Sequence, residues 1–427
     1  MNPALARTYR PLPADALGAL VVVLDAVRRD GAASRSAVGQ LTGLGRAIVA
    51  HRVGELIDRG LLSEEGAARS TGGRPPRQLS FSTGAGHLLV ADLGATGIDV
   101  ALTNLSGAIL AHLAEPEDIA AGPETVLDHV DALFAELLSG AVPGDLWGIG
   151  LGVPGPVEFG AGRPVSPPIM PGWDGYPIRE RFAQRYTAPV WVDNDVNLLA
   201  LGEWRQGAAR GHRNVVVVKV GTGIGAGLIS DGMLHRGAQG AAGDVGHIQV
   251  VDDPSVVCRC GNIGCLEAIA GGEAIARSGE RLARDGRSPR LAAVLRVHGH
   301  VTAADVAHSA SHGDAACFEL LQRSGRLVGT MLAGIVNFFN PSLIVLGGGV
   351  SGAGDAYLAA VRGTLYRRSL PLATRDLTVA RATLGEQGGV IGAAAMVLDE
   401  LFSRDCVERW IEPGSPAGRP EIATSRD

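Results

Sequence analysis

The densest chemistry in the 427-residue chain is Gly246-His247 followed, after ten residues, by Cys258-Arg259-Cys260-Gly261-Asn262-Ile263-Gly264-Cys265. Three Cys within eight residues and one His upstream supply the four donors of a tetrahedral zinc site. No ligand position is left for water, so a zinc held by His247, Cys258, Cys260 and Cys265 is structural. Disulfides are rare in reducing compartments, which favours metal ligation by these thiols, although C-x-C is tighter than the usual C-x₂-C. Cys317 and Cys406 stand alone and read as ordinary buried or tail thiols.

A second chemistry comes from glycine-rich turns after apolar strands. The strand beginning at His87 runs into Asp92-Leu93-Gly94-Ala95-Thr96, Val215 to Val220 runs into Gly221-Thr222-Gly223-Ile224-Gly225-Ala226-Gly227, and Leu343 to Leu346 runs into Gly347-Gly348-Gly349. Such turns bring backbone N–H groups and a hydroxyl to phosphate oxygens, and an Asp beside them can hold Mg²⁺. Candidate nucleotide contacts are therefore Asp92, Gly94, Thr96, Thr222, Gly223 and Gly348. One such turn is weak evidence; three in order suggest two lobes clamping a nucleotide. No lysine accompanies the turns, which excludes a P-loop. Between them, Val190-Trp191-Val192-Asp193-Asn194-Asp195 is a strand leading into a helix over 197–204. Asp195 suits either of two roles, a cap for that helix or a general base for a hydroxyl nucleophile.

A separate unit precedes these lobes. Residues 15–29 predict a helix, with Leu17, Leu20, Val21, Leu24 and Val27 at helical spacing and Gly31 ending it. Ser34 or Ser36 can cap a short helix ending near Leu41, Thr42-Gly43-Leu44 makes a turn, and a longer helix carries Ile48, Val49, Val53, Leu56 and Ile57 on one face. Two short helices joined by a Gly-containing turn make a helix-turn-helix, and Arg46, His51 and Arg52 fall off the apolar stripe, free to face a major groove. Gly45 supplies no capping side chain at the start of that helix. Residues 71–77 (TGGRPPR) and the strand 78–81 read as a wing whose tip offers Arg74 and Arg77 to the minor groove.

Charge supports that division. The whole chain has a net charge of −6, which taken alone argues against nucleic acid. Residues 1–86 carry eleven Arg against seven acids, a net of +4, and the other 341 residues a net of −10. A small basic domain on an acidic body is the asymmetry of a DNA-binding module fused to something else, and repulsion between phosphate and the body orients the module toward the duplex. Lys219 is the only lysine, a bias toward Arg that a GC-rich genome explains. No run reaches the ~18 apolar residues that span a bilayer, and nothing at the N-terminus marks export, so the expected location is the cytoplasm with no membrane partner.

The ordered set DLGAT (92–96), GVPGPV (152–157), PGW (171–173), DND (193–195), GTGIGAG (221–227), GDVGH (243–247), CRCGNIGCLEA (258–268) and GGG (347–349) resembles the ROK family of repressors, open reading frames and sugar kinases. The likeness covers about residues 87–404, and the segment ending in TGGRPP resembles the repressor branch. It implies an α/β fold, a two-lobed actin/hexokinase-like (ribonuclease H-like) body behind an N-terminal winged helix-turn-helix, with a sugar in the cleft and dimers or tetramers. Expected domains are 1–86 for DNA binding, 87–203 and 204–404 for the lobes, the last helix (388–401) returning to the first, and 405–427 as a loosely ordered tail.

Residue by residue, the resemblance implies sugar contacts from Asn194, Asp195, Asp244, His247 and Glu267. Asp195 would be the base in a kinase, and His247 would serve both zinc and the sugar side. Three positions depart from the family's kinases: Gly97 in place of Lys, Asp244 in place of Glu, and Ile169 in place of Asn. Phosphoryl transfer depends on positioning and charge stabilisation, so such losses can abolish turnover and leave binding. The expected function is a sugar-responsive transcriptional regulator, a repressor of carbohydrate-metabolism genes, binding operator DNA and a sugar or sugar phosphate. The alternative is an ATP-dependent sugar kinase, using ATP and Mg²⁺, that retains a DNA-binding domain.

Overall fold

The structure, a computed structural model, describes residues 15–424 apart from 68–76, 141, 143 and 353. It begins with three helices, α1 (Ala16–Arg28), α2 (Arg35–Thr42) and α3 (Arg46–Asp58). Asp15 caps α1 by accepting from the Gly18 amide at 2.7 Å, and Ser34 caps α2 by accepting from the Ala37 amide at 3.1 Å. Gly43 ends α2 in the left-handed region, and Gly45 gives α3 no side-chain cap. The strands β1 (Leu62–Ala67) and β2 (Arg77–Phe81) then pair antiparallel, Leu62 opposite Phe81 and Glu64 opposite Leu79. Val23, Leu24, Val38, Val49, Val53, Leu56, Leu61 and Leu79 close the core of this unit. Ile48, expected on the apolar stripe, is 45% exposed. At 3.6 residues per turn it lies about 100° round from Val49, and Val49, Val53 and Leu56 fill the inward face without it.

The body is two five-stranded sheets of one topology. The first comprises β3 (Gly86–Leu93), β4 (Gly97–Asn104), β5 (Ile109–Pro116), β6 (Asp145–Val153) and β9 (Val190–Asn194), in the order β5-β4-β3-β6-β9. A two-residue ladder, β7 (Val157–Glu158) with β8 (Arg163–Pro164), sits beside it. The second comprises β10 (Val215–Val220), β11 (Ile224–Ser230), β12 (Met233–Leu234), β13 (Leu343–Gly347) and β14 (Thr378–Arg381), in the order β12-β11-β10-β13-β14. In each sheet a meander supplies the first three strands and two parallel crossovers add the rest.

Period-two burial divides each leading strand. Leu88 and Val90 of β3 join the central core, while Leu89, Ala91 and Leu93 join the outer core of the first lobe. Likewise Val215 and Val217 of β10 face the centre, and Val216, Val218 and Val220 face the outer core of the second lobe. Two helices fill the centre, Asp195–Arg205 and Gly388–Leu401. They cross closely because Gly392 lacks a Cβ, which would stand 1.7 Å from the Leu198 carbonyl oxygen.

The C-terminal segment corrects one expectation. Residues 405–424 are not a loose tail: helix Arg404–Trp410 and a short turn at Pro420–Ala423 are packed, with Trp410, Ile422 and Val407 buried. Their apolar residues lie in the same core as α1, α3 and β2, so the segment joins the N-terminal unit to the body. At the joint, Phe402 has the rings of Phe81, Trp147 and Trp410 at 5.7, 6.2 and 5.7 Å, and the Arg28 guanidinium lies 4.5 Å over its face. Arg59 of the N-terminal unit also donates to the Ile411 carbonyl at 3.0 Å.

Candidate functional site

Between the two sheets opens a cleft of about 630 Å³. Its lining includes Asn194, Asp195, Asp244, His247 and Glu267, together with Gly94, Thr96, Thr222 and Gly223. Asp92 and Gly348 are not on its surface. Asp92 is 9% exposed behind the wall, and Gly348 turns tightly against the Val220 backbone, leaving Gly349 and Val350 to face the cleft.

Asn194, not Asp195, caps helix Asp195–Arg205: its Oδ1 accepts from the Val196 and Asn197 amides at 2.9 and 3.4 Å, and its Nδ2 donates to the Gly155 carbonyl at 2.9 Å. The helix starts two residues earlier than spacing predicted, because Asn194 competes better for those amides from the strand end. Asp195 is thereby freed from capping and meets Lys219, whose Nζ donates to Oδ2 at 2.6 Å.

Lys219 went unrecognised as a site residue. Val215, Val217 and Lys219 share one face of β10, so a lysine ending an inward apolar row was the available signal. Burial alone would pull its ammonium down, but Asp195 and Asp92 outweigh that and hold it above the ordinary lysine value. Burial pushes Asp92 the other way, up to about 7, with Lys219 opposing. Asp92 Oδ1 is buried without a hydrogen-bond partner.

Also lining the cleft, Glu267 accepts at Oε2 from the Ile224 amide at 2.9 Å and ties the β10–β11 turn to the start of helix Leu266–Ala270. His247 ends the short turn Val245–His247, held against β11 because Gly246 has no Cβ to strike the Ile224 carbonyl, which would be 2.2 Å away. Its two ring nitrogens face different ways: Nδ1 lies 3.5 Å from Cys258 Sγ, and Nε2 lies 3.7 Å from Asp244 Oδ1 on the cleft side. Cys260 and Cys265 approach to 3.8 Å between sulfurs. The donor atoms of His247, Cys258, Cys260 and Cys265 all fall within 4.8 Å of one another, as one metal ion requires. Three thiols and one imidazole fit a tetrahedral zinc. Burial and the neighbouring thiols push Cys265 up to about 12, so metal binding must displace that proton and weakens as pH falls.

In the N-terminal unit Arg46 and His51 are exposed on α3. Arg52 is not free: its Nη1 donates to Glu55 Oε2 at 2.5 Å, and Glu55 also takes Arg59 at 3.1 Å. Arg77 opens β2, with its backbone opposite Ala67, and Arg74 lies outside the described residues. No described helix is long and apolar enough to cross a membrane.

Known proteins resemble this one in two ways. Over 316 residues the chain is 34% identical to a glucokinase of Halalkalibacterium halodurans, covering 74% of this chain and 96% of that one. Over 387 residues it is 31% identical to a xylose repressor of Caldicellulosiruptor bescii, covering 90% and 96%. A ROK family transcriptional regulator, a homologue of the E. coli MLC protein, superposes with TM-score 0.77 at 25% identity, covering 93% of this chain and 100% of that one. A ROK glucokinase from Streptomyces griseus, solved with glucose and AMPPNP, gives TM-score 0.65 at 30% identity over 73% and 99%. The kinases thus align with the two-lobed body, whereas the repressor and the regulator extend over the N-terminal helices as well. With its family match spanning residues 89–400, the chain belongs to the ROK family.

Proposed function

We propose that this protein is a sugar-responsive DNA-binding transcriptional regulator, a repressor of carbohydrate-metabolism genes that works in the cytoplasm as a homodimer or homotetramer. The observation that carries the reading is the N-terminal unit: it is shared with the xylose repressor and the solved regulator, and its α3 leaves Arg46 and His51 exposed for operator DNA. In this reading Arg74 and Arg77 serve the wing. A sugar is held by Asn194, Asp195, Asp244, His247 and Glu267. Zinc on His247, Cys258, Cys260 and Cys265 would fix the loop that presents His247 and Asp244, a structural service rather than a chemical step.

The route from cleft to DNA is a rigid one. Helix Asp195–Arg205 begins at the sugar-facing carboxylate, and at its far end Arg205 donates to Asp399 at 2.5 and 2.6 Å. Asp399 also lies 3.9 Å from Arg29 at the end of α1. The companion helix Gly388–Leu401 leads straight into Phe402 and the aromatic joint. Lobe movement about a bound sugar would shift both helices and re-aim α3, so that the sugar's preference for one lobe arrangement becomes a change in DNA affinity. The test is binding of the full chain to duplex DNA taken from upstream of its own and neighbouring genes, followed by fluorescence anisotropy over a salt series. Specific binding that weakens as salt rises is the expected result; no specific binding at any salt would defeat the reading.

A second reading, an ATP-dependent sugar kinase, is favoured by the 34% identity to a glucokinase and by Thr96, Thr222, Gly223 and Asp195 all lining one cleft. Sugar-dependent ADP formation at ordinary kinase rates would establish it.

A further inference from the structure

The two lobes repeat one strand order, and their leading strands end alike. Asp92 stands two residues before Gly94 at the end of β3, and Lys219 stands two residues before Gly221 at the end of β10. Each continues the inward face of its strand, Leu88 and Val90 before Asp92, Val215 and Val217 before Lys219. Corresponding positions of the two lobes thus carry opposite charges on facing sheets, with Asp195 at the helix start between them.

An Asp at the first turn of such a cleft would ordinarily be a ligand for Mg²⁺ beside a nucleotide. The residues around it do not suit that ion. Asp92 is buried behind the wall, its Oδ1 meets no donor, and its Oδ2 sits where a Cβ on Gly389 would be only 1.9 Å away. Asp195, the neighbouring carboxylate that does line the cleft, is already engaged by the Lys219 ammonium at 2.6 Å. A divalent ion between them would have to displace or crowd the ammonium that Asp195 holds.

We propose that Lys219 is the resident cation of the cleft: its ammonium takes the place that phosphoryl transfer would give to a divalent metal, so the cleft binds a sugar without metal and without turnover. This rests on the reading of the cleft as a sugar sensor and names the residue that makes it one. Lys219 is also a sugar contact in its own right. Its ammonium opens partly to the cleft beside Asp195, and the pair presents a donor and an acceptor side by side, the complement of vicinal hydroxyls.

The test uses zinc-loaded full-length protein and two independent readouts. Electron paramagnetic resonance with Mn²⁺ as the probe reads metal binding, with or without a non-hydrolysable ATP analogue. Calorimetry with D-xylose and D-glucose reads sugar binding. Wild type is expected to bind no Mn²⁺ that Asp92→Asn removes, and to bind sugar with the same affinity with and without Mg²⁺. Lys219→Met, which keeps the length and loses the charge, is expected to gain an Mn²⁺ site and to lose sugar affinity at least tenfold, while Lys219→Arg, which keeps the charge, is expected to gain no Mn²⁺ site. Mn²⁺ bound by wild type and lost in Asp92→Asn overturns the proposal without any Lys219 variant, so poor folding of Lys219→Met does not protect it. A folded Lys219→Met with unchanged sugar affinity and no Mn²⁺ overturns it as well. If neither sugar binds wild type, the sensor reading itself fails, whereas the Mn²⁺ readout stands apart from it.

Discussion

Replacing Asp92 with Asn tests the electrostatics of the cleft floor directly. Asp92 is buried, its Oδ1 has no partner, and burial raises it from 3.8 to about 7. An acid whose folded value is raised favours folding below its unfolded value and loses that contribution as pH climbs to the folded value. Stability is therefore lost between about pH 4 and pH 7, and the cost at pH 8 is about 4 kcal/mol. Asn has the same shape and no charge to desolvate, so the variant escapes this cost. At roughly 2–4 °C per kcal/mol for domains of this size, Asp92→Asn should melt on the order of 10 °C above wild type at pH 8. The gap should shrink by roughly half or more at pH 5, where much of wild-type Asp92 is protonated. Thermal unfolding of both proteins from pH 5 to 8.5, with zinc content checked in each, measures it. A gap that does not change with pH, or a variant less stable than wild type at pH 8, would show that burial of Asp92 carries no such cost.

Four further variants have outcomes set by the geometry. Cys260→Ser should abolish stoichiometric zinc and weaken sugar binding, because His247, one of the four candidate metal donors, also lines the cleft; metal analysis with calorimetry checks this, and full sugar affinity in a zinc-free protein would contradict it. Phe402→Ala should cost about 3–5 kcal/mol, since it empties a buried ring site between α1, β2 and helix Arg404–Trp410, and calorimetric unfolding should then separate the N-terminal unit from the body. Arg46→Ala should weaken DNA binding and lower the salt slope by about one. Arg52→Ala should do so much less, because Glu55 already holds that guanidinium; equal losses in an anisotropy titration would show the ion pair opening on DNA.

Much of this molecule was legible in its sequence because its signals are local. A serine cap before the second helix, apolar strands running into glycine turns and three clustered thiols each announce themselves within a dozen residues. What was missed depends on distance. Lys219 meets Asp195 only because two sheets face each other, and in sequence it is a lone lysine in an apolar run. Asp195 looked like a cap because the competition between two adjacent side chains for the same amides is decided by strand geometry. Arg52 looked free because its partner Glu55 is also off the apolar stripe. The polar, Pro-rich C-terminus hid its order for a related reason: Val407, Trp410 and Ile422 are few and scattered, and they find their core in the N-terminal helices.

In the proposed function, a sugar in the cleft controls DNA affinity through helix Asp195–Arg205. Its most direct test is the operator affinity of the full chain with and without a saturating sugar, in wild type and in Asp195→Ala. Wild type should change its operator affinity by roughly 5- to 150-fold, the usual span of coupling between sites. Asp195→Ala should leave unliganded affinity largely unchanged and lose the sugar effect. An operator affinity that ignores sugar in wild type, or a sugar effect that persists undiminished in Asp195→Ala, would contradict such control.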